Sequence, residues 1–327
     1  MRPRCVALLL FSAGLHGQST PVSRACDRAC LESFVDQYMD ALIAHDPKKL
    51  PLTPRLKMTE NGQRLEPGDG FWRTATAKGT YRLFVDDPEQ STVAFLGTMR
   101  EAGIPVAVAI RMKVANGQIP EIETFVVRNQ EAAANLEKLG ASTPSSAPKA
   151  SRQELTRTVD LYFAGLEKND GRGNYPFADD CNRFENGRQT TNNPNLRMAS
   201  LFATAPAGPG RGGRGAPPPP PPDPSDAARL GCKEQFQSGY FHFVTRVRDR
   251  RVVSVDADRG LVFAFVFYDY AAGKSRAYKL ADGQEVTNGP PRPWTWERAE
   301  VIQIDTGKIR QIQAIMEQVP YGMLSGW

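Results

Sequence analysis

The chain has 327 residues, of which 40% are hydrophobic and 24% charged, so it is long enough for two domains that each bury a core. The formal net charge of +5 comes from basic and acidic residues that are interspersed, without a long basic run, and this argues against nucleic-acid binding. Beyond the first residues, no segment has the length and apolar character of a membrane-spanning helix, so we expect no membrane association.

Residues 1–19 have the pattern of an export signal. Residues 1–4 are basic, residues 5–15 form a short apolar core, and Gly17 and Ser19 offer a cleavage site. Because this core is too short to span a bilayer, we expect cleavage and a protein that is secreted or periplasmic.

Four cysteines remain after such cleavage: Cys26, Cys30, Cys181 and Cys232. An even number in an oxidising compartment predicts two disulfides, although four cysteines allow three connectivities. Cys26 and Cys30 are close enough to clamp the start of the first helix, and Cys181 and Cys232 flank a long insertion. A zinc site is the alternative, but neither His45 nor His242 has ligand spacing from the cysteines, so we expect no metal.

The first domain is predicted to span residues 26–130. It opens with a helix whose apolar stripe is Leu31, Phe34, Val35, Tyr38 and Leu42. A short strand at 55–60 leads into the hairpin signal Asn61-Gly62, and further strands are predicted near 81–86, 92–101, 105–115 and 119–128. Residues 131–151 have the composition of a linker.

The second domain, at 152–327, repeats the first. Val35, Asp36, Tyr38, Leu42 and Asp46 recur as Val159, Asp160, Tyr162, Leu166 and Asp170, at a constant spacing of 124 residues. Glu60-Asn61-Gly62 recurs as Glu185-Asn186-Gly187, and strands are predicted near 240–247, 261–270, 296–304 and 308–318. The insertion at 194–230 is rich in Pro and Gly, and we expect it to be disordered or polyproline-like.

A helix followed by a curved, mostly antiparallel sheet predicts an α+β unit with the helix in the concave face and an apolar pocket between them. The two opening helices, at residues 35–46 and 159–170, resemble that of the NTF2-like superfamily, which includes ketosteroid isomerases and SnoaL-like cyclases. With its Cys-rich opening, its Glu-Asn-Gly turns and a tail at 320–323, the chain is similar to a secreted, duplicated subgroup of undefined function. This resemblance implies two tandem cone-shaped domains of the cystatin-like roll type.

Tyr38 and Glu60 are the catalytic candidates of the first domain. Tyr38 lies on the inner stripe of its helix, and the resemblance implies a tyrosine that donates a hydrogen bond to a developing enolate. Strand alternation puts Glu60 on the face of Leu56 and Met58, and the isomerases place their general base on the same strand. The alternatives are a core tyrosine and a carboxylate that faces water at the strand end.

The second pocket has four candidates: Tyr162, Glu185, His242 and Asp269. Tyr162 and Glu185 repeat the first pair, but Arg183 shares the face of Glu185 and is expected to pair with it, which would spoil it as a base. His242 is expected on a strand face, and Asp269 ends a stripe of phenylalanines and is a candidate for the pocket mouth.

The leading hypothesis is an exported isomerase, cyclase or dehydratase that needs no cofactor and acts on a small hydrophobic carbonyl compound. A protein that binds a small apolar ligand without turning it over is the alternative from another class, and a structural duplication with one degenerate pocket is a third. Because each half can cover the sheet of the other, we expect an intrachain pseudo-dimer and a monomeric chain.

Overall fold

The computed structural model of the chain describes residues 26–139, 150–196, 227–272, 277–279, 285–287 and 292–327. The predicted export signal and most of the insertion at 194–230 lie outside the described residues. Among the described residues, every helix is too short or too polar to cross a lipid bilayer.

The first domain is a helix, α1 (Arg28–Ile43), packed against a six-stranded sheet. The helix begins at Asp27, whose carboxylate caps the amide of Cys30, and its predicted apolar stripe is buried. The sheet has the order β2-β1-β6-β5-β4-β3, and β1 and β6 run parallel whereas β3 to β6 are antiparallel neighbours. Its strands are β1 (Leu52–Glu60), β2 (Gln63–Arg64), β3 (Ala75–Asp87), β4 (Thr92–Glu101), β5 (Ile104–Ala115) and β6 (Gln118–Val127).

The second domain repeats this plan with α3 (Arg152–Lys168), which begins at a capping box formed by Ser151 and Glu154. Its sheet has the order β8-β7-β14-β13-β10-β9, again with one parallel pair, β7 and β14. The strands are β7 (Phe177–Glu185), β8 (Arg188–Gln189), β9 (Arg246–Asp256), β10 (Leu261–Tyr270), β13 (Trp294–Asp305) and β14 (Lys308–Val319), and a hairpin of β11 (Ala277–Lys279) and β12 (Glu285–Thr287) lies between β10 and β13. The predicted fold class, two tandem α+β units with a helix on a mostly antiparallel sheet, is confirmed.

The predicted hairpin turn after β1 is present. Asn61 and Gly62 have φ values of 46° and 72°, which a bulky side chain rarely adopts, and Asn186 and Gly187 repeat them with 50° and 71°. These turns place Glu60 and Glu185 at equivalent ends of β1 and β7.

Two segments differ from the sequence expectation. The stretch predicted as a linker contains a helix, α2 (Gln130–Leu139), because Ala132, Ala133 and Leu136 form an apolar face that is buried between the sheets. A strand was expected at 240–247, but Tyr240–Phe243 forms a 3₁₀ helix, led by Gly239 at a φ of 73°, and β9 begins only at Arg246.

The two sheets pack face to face through the sides that point away from their helices. The buried cluster between them takes residues from both halves, among them Leu83, Leu96, Phe125, Phe263, Val301 and Ile315. Polar contacts join the same surfaces: Ser254 Oγ donates to the Val85 carbonyl at 2.8 Å, and Thr92 Oγ1 donates to the Val253 carbonyl at 3.2 Å. Each sheet therefore has two buried faces, which explains why all residues of β10 are buried.

Both expected disulfides are present, Cys26–Cys30 and Cys181–Cys232. The first closes the opening turn of α1, and the second joins β7 to the first residue of α4 (Cys232–Gln237) across the insertion. Disulfides persist in oxidising compartments, so this pairing is compatible with a secreted or periplasmic protein.

Candidate functional site

Tyr38 points from α1 into the interior of the first domain. Its ring is 1% exposed, and its hydroxyl lies 2.9 Å from Thr124 Oγ1 on β6. Burial is the main reason that the pKa of Tyr38 is raised far above its usual range; the Thr124 hydrogen bond lowers it, and the nearby Glu60 charge raises it further. The phenol is therefore protonated at any physiological pH and can act as a hydrogen-bond donor.

Glu60 lies on the same inner face, at the end of β1. It pairs in register with Thr124 on the parallel strand β6, so the two side chains are neighbours on one side of the sheet. Its carboxylate accepts a hydrogen bond at each oxygen, from the Phe71 amide at 2.6 Å and from Arg128 Nη2 at 2.9 Å. Glu60 is 8% exposed, so the strand alternation gives its direction correctly, and the alternative of a carboxylate facing water does not hold.

A 3₁₀ turn, Gly70–Arg73, covers this end of the interior. Gly70 has a φ of 63°, and a Cβ there would collide with Glu60 Oε2, so only glycine fits. The indole of Trp72 stands edge-on to Tyr38 with ring centroids 5.5 Å apart. It is 1% exposed, and its Nε1 has no hydrogen-bond acceptor among the described residues.

The remainder of the first interior is apolar. The buried side chains that α1 and the sheet contribute include Met58, Phe95, Met99, Val108, Ile110 and Met112. The first interior thus holds a phenol and a carboxylate among side chains that are otherwise mostly apolar. An apolar interior with a hydrogen-bond donor is a suitable setting for negative charge that develops on a carbonyl oxygen.

The interior of the second domain is different, because a chain of buried polar groups crosses it. Tyr162 Oη lies 3.2 Å from Tyr268 Oη, which donates to Glu300 Oε1 at 2.9 Å. Arg298 donates to the same Glu300 oxygen at 2.6 Å and to Glu185 Oε1 at 2.9 Å. These groups are at most 7% exposed, so the two domains repeat one backbone plan around unlike interiors.

Glu185 has the partner that the sequence predicts. Arg183 Nη2 donates to its Oε1 at 2.9 Å, and Arg298 approaches the same oxygen. Although burial raises the pKa of Glu185, the charges of Arg183 and Arg298 outweigh this effect and hold it below its ordinary value. The two arginines thus hold the Glu185 carboxyl group in its ionised form.

His242 and Asp269 are placed differently from the sequence prediction. His242 lies on the 3₁₀ helix and not on a strand, with its Nδ1 3.1 Å from the Gly239 carbonyl. Asp269 follows Tyr268 on β10 and therefore faces the other side of the sheet, so its prediction as a residue of the second pocket is wrong. There it accepts hydrogen bonds from Arg246, Arg248 and Thr295, with the shortest, from Thr295 Oγ1, at 2.6 Å.

The sequence does not predict Arg298, Glu300 or Tyr268 as site residues. The signal for Arg298 and Glu300 is period-two alternation along β13, whose inner face also carries Trp294, Trp296, Ile302 and Ile304. Tyr268 alternates in the same way along β10, on the inner face with Val266 and Tyr270. Because the outer face of β13 is also buried, no contrast between polar and apolar positions marks the inward residues. Among the described residues, no group of three or more His, Cys, Asp or Glu side chains could hold a metal ion.

Comparison with known protein structures gives matches with low sequence identities and low TM-scores. A protein of unknown function with a cystatin-like fold from Methylobium petroleophilum PM1 is 16% identical, with a TM-score of 0.27, and the match covers 38% of this chain and 99% of that one. A candidate isomerase from Bacillus subtilis is 11% identical, with a TM-score of 0.27, over 50% of this chain and 87% of that one. A candidate hydroxylase, AclR from Streptomyces galilaeus, is 10% identical, with a TM-score of 0.28, over 52% and 83%.

Comparison with protein families gives one match that spans both domains. The model of DUF8021, described as a domain of unknown function, matches residues 24–126 and 148–316. No curated protein matches the chain. The chain belongs to the DUF8021 family.

Proposed function

We propose that this DUF8021 protein is an isomerase that needs no cofactor. Its reaction is the removal of a proton from the carbon next to a carbonyl group of a small apolar compound and the return of that proton to another carbon of the same compound. The observation that carries the proposal is the placement of Tyr38 and Glu60 on either side of Thr124 in one apolar interior. A protonated phenol and a carboxylate are the two groups that enolate chemistry requires.

In the proposed reaction, Glu60 removes a proton from the carbon next to the carbonyl. The electron pair of that C–H bond forms a double bond to the carbonyl carbon, and the π electrons of the carbonyl group move to its oxygen. Tyr38 donates a hydrogen bond to this oxygen as it becomes an enolate. In a β,γ-unsaturated ketone, Glu60 then returns the proton to the γ-carbon, which moves the double bond into conjugation.

Binding of substrate in this proposal requires that the cover moves. Phe71 and Trp72 are each 1% exposed and lie over the Glu60 end of the interior. The Phe71 amide is bonded to Glu60, so displacement of the turn would free the carboxylate oxygen that faces the substrate. Gly70, with its positive φ, is a suitable hinge for this movement.

A protein that binds such a compound without turnover is the second candidate. The observation in its favour is the ion pair between Glu60 and Arg128, at 2.9 Å, because a carboxylate oxygen that accepts from a guanidinium is not free to contact a substrate C–H group. Arg128 also pairs with Glu101 at 2.7 Å, so its charge is shared between two carboxylates.

The two candidates can be separated by following the isomerisation of 3-cyclohexen-1-one to its conjugated isomer, which increases the ultraviolet absorbance. We expect that Glu60→Gln and Tyr38→Phe each lower turnover at least ~100-fold while the affinity for the conjugated product changes little. Glu101→Gln is the matched control, because it removes the other carboxylate on Arg128 and leaves Glu60 in place. Measurable affinity for the ketone together with equal turnover in wild type, Glu60→Gln and Tyr38→Phe would leave the binding protein as the correct description.

A further inference from the structure

The two interiors differ at positions that the backbone makes equivalent. The β5–β6 and β13–β14 hairpins have the same turn, with Ala115 opposite Gln118 and Asp305 opposite Lys308, followed by the same irregularity in register. Counting back from these turns makes Val108 equivalent to Arg298 and Ile110 equivalent to Glu300. The pairing of these strands with β4 and β10 then makes Met99 equivalent to Tyr268. The shared Glu-Asn-Gly turn makes Met58 equivalent to Arg183.

The charges of the second interior are therefore not a requirement of the fold. In the first domain the same backbone buries valine, isoleucine and methionine at these places. Burying an ion costs several kcal/mol, and replacing buried ion pairs by apolar residues is often neutral or stabilising. Retention of two arginines and two glutamates, of which Arg183 and Glu300 are at most 1% exposed, points to a role other than stability.

Several hydrogen-bonding groups of this cluster lack a strong partner among the described residues. Within the part of the chain that the structure describes, the one acceptor of Arg298 Nη1 is the thioether of Met316, at 2.8 Å, and sulfur is a weak acceptor. Arg183 Nε has no acceptor among the described residues. Glu185 Oε1 accepts from both guanidinium groups, whereas Glu300 Oε2 has no donor among the described residues.

Met316 lies between the protein surface and Arg298. It is 8% exposed, whereas Arg298 behind it is 2% exposed. Its side chain is flexible and fills space without strong preference, so it can give way to a ligand. Trp294 lies on the same inner face of β13, stacked on Tyr270 with ring centroids 5.3 Å apart, and offers an aromatic wall at this end.

We propose that the second domain is a separate binding site for small organic carboxylates that carry an aromatic or other apolar body. The carboxylate displaces the Met316 thioether and accepts from Arg298 Nη1, and the apolar body packs on Trp294 and Tyr270. A carboxylate gives Arg298 Nη1 a strong, charged acceptor in place of the thioether, which a neutral apolar ligand cannot do. The site is independent of the proton transfer proposed for the first domain.

The test is calorimetric titration of the full chain with phenylacetate and with phenylacetamide, which has nearly the same shape but no charge. We expect phenylacetate to bind at least about tenfold more tightly. The double substitution Arg298→Val with Glu300→Ile gives the second domain the residues of the first, removes one charge of each sign, and should abolish this preference while the protein stays folded. Arg310→Gln with Asp180→Asn, an exposed pair at 2.5 Å on the same domain, is the matched control and should keep it.

Equal affinity of the wild type for phenylacetate and phenylacetamide would overturn the proposal, and this comparison needs no variant. Phenylacetate binding that survives in the double variant would overturn it as well. Turnover of 3-cyclohexen-1-one should be the same in the wild type and the double variant, so a failure here is distinguishable from a failure of the proposed isomerase.

Discussion

Glu297 makes the stability of the folded chain depend on pH. It lies on the outer face of β13 and is 5% exposed, and its Oε2 has no hydrogen-bond partner among the described residues. Burial, followed by the charge of Glu123, raises the pKa of Glu297 to about 8; Arg251 opposes this and Glu317 on the neighbouring strand adds to it.

The size of the effect follows from the two pKa values of this carboxyl group. Between its ordinary pKa of 4.5 and about 8, the unfolded chain releases a proton that the folded chain retains, so the free energy of unfolding falls as the pH rises. At 1.36 kcal/mol for each unit, the full loss is about 5 kcal/mol, complete above pH 8 and absent below pH 4.5.

Urea unfolding at several pH values, followed by tryptophan fluorescence, measures this loss. Glu297→Gln has no proton to release at this position, so its free energy of unfolding should fall less steeply than that of wild type between pH 5 and 8. The substitution also has a constant effect that does not depend on pH, and only the difference in slope is informative. Parallel curves for the two proteins over this range would refute the reasoning.

Three further results are expected. Removing the Cys181–Cys232 disulfide by a double Cys→Ser substitution should lower the free energy of unfolding by about 4 kcal/mol, against about 2 kcal/mol for Cys26–Cys30, because the bridged residues are 51 and 4 positions apart. Urea midpoints measure both, and a larger loss for the short loop would contradict the entropic argument. Arg28→Met should cost about 2 kcal/mol at pH 8, since the buried Asp86 and Asp256 share this guanidinium, which is itself about one third exposed. The cost should shrink at pH 5, because burial, with the Glu32 charge next, raises the pKa of Asp86 to about 7 and the carboxyl is then protonated. Light scattering should give the mass of one chain, as each sheet already covers the outer face of the other; a dominant species of twice that mass would contradict the prediction.

The sequence predicts the fold well because the repeated motifs show that one domain plan occurs twice. The helical stripe around Tyr38, the Asn-Gly turns and the alternation that turns Glu60 inward are all local patterns, and each is present in the structure. The even cysteine count predicts two disulfides, and of the three connectivities that four cysteines allow the structure shows Cys26–Cys30 and Cys181–Cys232.

The structural features that the sequence does not predict depend mainly on contacts between segments that are distant in the chain. The direction of Asp269 was misread because both faces of β10 are buried, so apolar residues on one face do not identify the pocket side. The hydrogen-bond network of Arg298 and Glu300 connects strands that are far apart in the chain with Tyr162 on α3. The periodicity of residues within one strand or helix does not indicate which distant residues come into contact. The cover formed by Trp72 lies in a 3₁₀ turn that has no periodic signal.

The central claim is that Tyr38 and Glu60 act together on one substrate in the first interior, and turnover of 3-cyclohexen-1-one by Tyr38→Phe, Glu60→Gln and the double variant tests it most directly. Residues that work as a unit are not additive, so the double variant should be about as slow as the slower single variant. Turnover at the wild-type rate by the variant that lacks both groups would contradict the claim.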